Sequence, residues 1–97
     1  MSLPVRFLPE ARQDALDIRC WYEQRLGGLG DLFSQSLADA IDRLQAHPLR
    51  YRQVAGPVRR VILQRFPYAV YFRLEPGEII VLAVHGRQDP SRWQKRL

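Results

Sequence analysis

The chain holds one cysteine, Cys20, so it can form neither an internal disulfide nor a cysteine-based metal cluster. It has only two histidines, His47 and His85, far apart and without paired carboxylates at helical spacing beside them. That is too little for a metal site, and no cofactor or metal is expected. Lysine is almost absent, with Lys95 the single example. No apolar run approaches the ~20 residues that span a bilayer. There is no glycine-rich phosphate loop, no repeat, no linker and no low-complexity stretch. The opening residues Met1 to Arg6 lack an apolar segment of signal-peptide length. A soluble cytoplasmic protein without membrane contact is the expectation, with one domain over residues 1–97.

Hydrophobic residues make up 46% of the chain, enough for one packed core. Charge is uneven. Residues 1–48 carry five arginines against seven acids, a net −2, whereas residues 49–97 carry nine arginines and Lys95 against three acids, a net +7. A basic half beside a near-neutral half points to an acidic or polyanionic partner for one face. Solubility alone is the plainer explanation. The choice of arginine favours recognition, because guanidinium forks match phosphate and carboxylate.

Residues 3–8 read as a short strand. Pro9 and Glu10 look like a helix start, with proline in the first turn and an acid near the positive dipole end. Ala11, Ala15, Ile18, Tyr22 and Leu26 then fall within about 80° of arc at helical spacing. Gly27-Gly28 stops that helix. Leu29, Phe33, Leu37, Ala40, Ile41 and Leu44 form a second apolar stripe, ended by His47-Pro48. Two helices joined by so few residues form an antiparallel hairpin.

Further on, the period shortens. Val58 to Phe66, Tyr68 to Leu74 and Ile79 to His85 are rich in β-branched and aromatic residues. Glu75-Pro76-Gly77-Glu78 is a hairpin turn, and Phe66-Pro67-Tyr68 a tight reversal. The expected fold is α+β in the order β-α-α-β-β-β. A mainly antiparallel sheet of about four strands is covered on one face by the helical hairpin. Expected core residues are Ile18, Tyr22, Phe33, Leu37, Ile41 and Leu44, with Val61, Leu63, Val70 and Val81 from the strands.

Several segments together resemble a known family. They are Phe7-Leu8-Pro9-Glu10-Ala11, Tyr22 with Glu23, and Leu29-Gly30-Asp31-x-Phe33. His47-Pro48-x-Arg50-Tyr51, Val58-Arg59-Arg60 and Arg65-Phe66-Pro67-Tyr68-x-Val70-Tyr71 follow. Ala83-Val84-His85-Gly86-Arg87-x-Asp89-Pro90-x-x-Trp93 closes the set. In order and spacing the chain is similar to the RelE/ParE toxin superfamily of type II toxin–antitoxin systems, and more to its ParE branch. The resemblance implies a toxin held inactive by a small antitoxin with an acidic toxin-binding segment, as a homodimer or a heterotetramer with that antitoxin. It implies one of two targets: DNA gyrase for the ParE branch, or mRNA on the ribosome for RelE-type endoribonucleases. A non-toxic, complex-forming member is a third reading.

Cleavage of RNA by its own 2′-hydroxyl needs a base, an acid and cations around the phosphorane. Cations are plentiful: Arg59, Arg60, Arg65, Arg73 and Arg87 lie on expected strands or just after one. On the resemblance, Arg87 sits near the place of a catalytic arginine. Acid and base are scarce. His85 is the one credible titrating group, and a strand-end residue capping a turn is its plainer role. His47 reads as a helix-end residue. Tyr68, Tyr71 and Phe72 read as sheet packing, with a base-stacking platform the lesser alternative. Asp14 and Asp17 read as a solvated helix face screened by Arg12 and Arg19. These five arginines are therefore expected to bind the target, with His85 and Arg87 catalytic only if the chain is a nuclease. Leu16 and Cys20 lie roughly 120–200° round the first helix from its core stripe. With Trp21 on the flank they are candidates for the partner surface. Scattered surface apolar residues are the simpler account.

Overall fold

The computed structural model describes residues 2–86 and Arg96. Strand β1 (Val5–Phe7) leads into helix α1 (Pro9–Arg25) and helix α2 (Leu29–Ala46). A single 3-10 turn at Pro48–Arg50 precedes β2 (Gln53–Ala55), β3 (Val58–Ile62), β4 (Tyr68–Glu75) and β5 (Glu78–Gly86). The five strands form one sheet in the order β1-β5-β4-β3-β2. All neighbours are antiparallel except β1, which runs parallel to β5 with Arg6 opposite Ile80.

The helix boundaries follow from the residues that bracket them. Pro9 occupies the first turn of α1, where its missing N–H costs nothing. Gly28 takes φ 92°, a left-handed conformation open to glycine, and lets the chain reverse into α2. At the other end of α2 the His47 amide still donates to Arg43 O before Pro48 ends the pattern. Glu75 and Glu78 pair across Pro76-Gly77, and Gly77 at φ 80° supplies the positive angle that a type II turn requires.

Both faces of the sheet are apolar. Val61, Leu63, Val70, Phe72, Ile79, Val81 and Val84 pack with Ala11, Phe33, Ala40 and Leu44 between sheet and helices. Burying each large aliphatic or aromatic side chain there contributes about 1.5–3 kcal/mol. Tyr22, Phe33, Phe66 and Tyr68 form an aromatic cluster at one end, with ring centroids 4.9–6.3 Å apart. The opposite face carries Val58, Ala69, Tyr71, Ile80, Leu82 and Ala83. Leu82 and Ala83 are sequence neighbours yet share that face. The register slips between Tyr71 and Phe72, so Tyr71 faces Ala83 and Phe72 faces Val81. The inserted Leu82 is a β-bulge, which turns Val81 and Val84 to the helix side together.

The expected order of elements and the antiparallel β3-β4-β5 meander are observed. Phe33, Leu44, Val61, Leu63, Val70 and Val81 are buried, and Ile18, Tyr22, Leu37 and Ile41 pack half-buried against them. Three points differ. The sheet has five strands, because Gln53-Val54-Ala55 adds an edge strand through the Gly56-Pro57 turn. Strand β3 ends at Ile62, so Arg65 lies in a loop at φ 73° and not on a strand. Leu26 caps α1 in extended conformation and is 66% exposed, outside the core stripe.

Candidate functional site

The arginines fall into distinct environments. Alternation along β3 and β4 sets Arg60 and Arg73 on the face away from the helices, together with Val58 and Tyr71. Arg60 stands opposite Tyr71 and Arg73 opposite Val58, which makes the two arginines diagonal neighbours. Arg6 of β1 joins the same face opposite Ile80, and Ile80 in turn faces Arg73. Reading the sequence in segments overlooks Arg6, because only the parallel β1–β5 pairing brings it there.

The hairpin after β4 tempers this charge. Arg73 Nε donates to Glu75 Oε1 at 2.7 Å, and Arg6 Nε donates to Glu78 Oε1 at 3.0 Å. The Glu78 hydrogen bond and charge raise the Arg6 pKa further above its ordinary value. Arg59 points elsewhere: its Nη1 donates to Tyr51 O at 2.7 Å and pins the segment before β2 onto β3. Arg65 is exposed on its loop, beside a cleft of about 510 Å³ that includes Leu29, Leu32 and Phe66. Of the five expected target arginines, the fold brings Arg60 and Arg73 together and sets Arg59 and Arg65 apart. Arg87 lies outside the described residues, as do Trp93 and Lys95.

His85 is 5% exposed, and its Nε2 lies 3.2 Å from Asp14 Oδ2. Asp14 is the hub of this corner and no solvated residue. Its Oδ2 accepts the Val84 amide at 3.1 Å and Arg96 Nη1 at 2.6 Å, while Oδ1 accepts Arg96 Nη2 at 3.2 Å. Arg96 Nη1 also donates to Leu82 O at 3.1 Å. Strand β1 stops pairing at Val81, so β5 would otherwise leave this edge bare. Leu8, Asp14 and Arg96 satisfy its backbone in turn. Local sequence pattern carries no sign of this, because the partners are some seventy or more positions apart. Asp17, one turn on from Asp14, is exposed as expected.

On the outer face of α1, Leu16 is 53% and Trp21 47% exposed, and Cys20 is exposed beside them. Arg25 lies 3.8 Å over the Trp21 ring and steadies it by a cation–π contact. Tyr71 and Phe72 are buried within the sheet, in keeping with packing roles. Tyr68 is half-buried in the aromatic cluster. Among the described residues no group of three or more metal-ligating side chains gathers, and no helix is long and apolar enough to cross a membrane.

A two-helix hairpin on a mainly antiparallel sheet in this order is the fold of RelE/ParE toxins. A family model described as the ParE toxin of the type II toxin–antitoxin system parDE matches residues 5–90, and the chain belongs to that family. Three solved structures have the same fold. The chromosomal ParDE system from P. aeruginosa aligns with a TM-score of 0.75 at 21% identity, over 88% of this chain and 96% of that one. The toxin–antitoxin complex RelBE2 from Mycobacterium tuberculosis gives 0.60 at 19% identity, over 90% and 100%. A mutant of the E. coli toxin RelE in the free state gives 0.67 at 15% identity, over 99% and 94%. Among curated proteins none is similar enough to count as a relative.

Proposed function

We propose that this toxin disables DNA gyrase by binding and is not a ribosome-dependent nuclease. The observation that carries the reading is the setting of His85. The one histidine with a credible catalytic position is buried, with its Nε2 against an Asp14 carboxylate that also holds Arg96 and the Val84 amide. A general acid or base must come within hydrogen-bond reach of its substrate; His85 borders only a small cleft of about 210 Å³, and the Asp14 beside it is engaged with the edge of β5. The match to ParE toxins supports the same side. Target recognition then rests on the face of β3 and β4, with Arg60 at its centre and Arg73 beside it, and on Arg87.

In this reading the toxin is neutralised by a cognate antitoxin whose toxin-binding segment is acidic, to suit the basic second half of the chain. Leu16, Cys20 and Trp21 supply the apolar part of that contact. The test is direct: purified toxin is added to gyrase supercoiling reactions and to programmed ribosomes. Inhibited supercoiling with intact mRNA is the expected result. Codon-positioned mRNA cuts with gyrase unaffected would replace this reading with the nuclease.

A further inference from the structure

Edge strand β2 covers β3 only as far as Arg59, and the Arg60 amide makes one last bond to Arg52 O at 3.3 Å. Beyond that point the end of α2 and the Pro48–Arg50 turn border the open edge of β3. They enclose a groove of about 590 Å³ lined by Arg43, Arg50, Tyr51, Arg52, Arg60 and Ile62. Four arginines line this groove and no acidic residue does.

Four arginines elsewhere are matched to acids, Arg6 to Glu78, Arg19 to Asp31, Arg73 to Glu75 and Arg96 to Asp14, while Arg25 lies over Trp21 and Arg59 donates to Tyr51 O. Among the described residues no carboxylate is paired with Arg43, Arg50 or Arg52. Like charges repel when gathered this closely, so a folded chain that concentrates these three without counter-charge is built to receive an anion.

The same edge speaks against an added peptide strand. Strand addition needs the outward-facing backbone groups of β3, and Arg43 Nη2 already donates to Ile62 O at 3.3 Å. Exposed Ile62 and half-buried Tyr51 give the arginines apolar flanks, suited to sugar and base rather than to a peptide backbone. Arg50 and Arg52 straddle Tyr51 in sequence, the interleaving of cation and ring that nucleic-acid surfaces use.

We infer that this groove binds the phosphodiester backbone of a nucleic acid without sequence preference, through Arg43, Arg50, Arg52 and Arg60. This goes beyond the choice of target enzyme: the toxin grips the nucleic acid itself, whether or not gyrase is present. Each phosphate neutralised releases counterions, so binding must fall steeply with salt, by ~0.9 in log K per decade for each phosphate engaged on duplex DNA.

The experiment uses the full-length toxin and two labelled probes, a random-sequence duplex DNA and a single-stranded RNA, followed by anisotropy across a salt series. Arg50→Ala/Arg52→Ala should weaken binding and lower the salt slope by about one for each phosphate no longer neutralised. Arg12→Ala/Arg25→Ala removes the same two charges from exposed α1 and should leave the slope unchanged. Circular dichroism of each variant checks that it folds. Binding of either probe with that pattern supports the groove, and comparing the two identifies the nucleic acid preferred. An equal drop for Arg12→Ala/Arg25→Ala would mean diffuse charge attraction and overturn the assignment. So would polyglutamate competing as well as DNA of equal charge, since the groove would then suit an acidic polypeptide. Binding that Arg50→Ala/Arg52→Ala leaves intact, or no binding by the folded wild type, would also end it.

Discussion

Glu23 on α1 caps the start of α2, with its Oε1 accepting the Gly30 amide at 3.0 Å while both carboxylate oxygens accept the Gly28 amide. The approach is so close that a Cβ on Gly30 would stand 2.9 Å from Arg19 O and 2.9 Å from Glu23 Oε1. A carboxylate can swing aside, but a helix carbonyl cannot. Gly30→Ala should therefore destabilise the fold by about 1–3 kcal/mol through overpacking, more than the ~1 kcal/mol of helix propensity it gains. Glu23→Ala should cost about 1 kcal/mol through loss of the cap. Urea unfolding of both single variants and the double measures the coupling. Wild-type stability for Gly30→Ala would refute the close-approach argument.

Asp14 carries more structure than any other acid among the described residues. Its side chain is 14% and that of Arg96 17% exposed. Asp14→Ala would strand the Val84 amide and leave the guanidinium without its carboxylate, for a loss on the order of 3 kcal/mol. Asp14→Asn keeps one acceptor oxygen and should lose less. Thermal unfolding decides the matter. A change within about 0.5 kcal/mol, the range of ordinary surface substitutions, would mean that Arg96 and the β5 edge are satisfied otherwise.

Asp14 also marks where the sequence ceases to be readable. Its spacing with Asp17 suggests an exposed acidic face, since local pattern reports which residues share a helix side and not what lies across from it. Elements with strong periodicity or turn chemistry are legible: Pro9, Gly28 and Pro76-Gly77 punctuate the chain where the structure turns. Strand β2 is not, because three residues of mixed polarity carry too little period to register. For the candidate site, strand alternation sets Arg60 with Val58 on the face away from Val61. Which arginines are neutralised depends on the Glu75–Glu78 turn and on the parallel β1–β5 register, both tertiary facts.

Tyr22 sits in the aromatic cluster, and burial chiefly, then the charge and hydrogen bond of Tyr68, raises its pKa above the ordinary 10.0. Below pH 10 the phenol is neutral in folded and unfolded chains alike, so its contribution is complete there. As pH rises past that value the unfolded chain gives up the proton first, and stability falls until the folded phenol also ionises. Urea midpoints should drop as pH rises past about 10, and Tyr22→Phe should flatten part of that drop. An unaltered profile in Tyr22→Phe would show that the other tyrosines account for all of it.

The outer face of α1 offers a test of the antitoxin contact. Leu16→Asp places a charge on an exposed apolar position without touching the core, so the toxin should fold normally. If the antitoxin covers Leu16, Cys20 and Trp21, its affinity should fall at least tenfold, about 1.4 kcal/mol. Raising salt should weaken the wild-type complex through its acidic segment and leave an apolar remainder. Unchanged affinity for Leu16→Asp would return these residues to ordinary surface.

Toxicity should depend on arginine recognition and not on proton transfer. Arg60 belongs to the face opposite the helices, stands across from Tyr71, and lines the groove at the β3 edge. Arg60→Ala removes a guanidinium from both surfaces at once and should weaken growth arrest on induction. His85→Gln keeps a polar side chain of similar reach but cannot titrate near neutrality. Because His85 packs against Asp14, the substitution should cost a little stability and leave arrest intact at a temperature where the toxin stays folded. A nuclease would behave in the opposite way, since removing a general acid or base typically lowers the rate by about a hundredfold or more. Growth arrest, gyrase supercoiling and cleavage of ribosome-bound mRNA should be measured on each variant, with antitoxin binding as the check on folding. If His85→Gln binds antitoxin normally yet no longer arrests growth, the chemistry runs through the imidazole and the gyrase-binding mechanism is wrong.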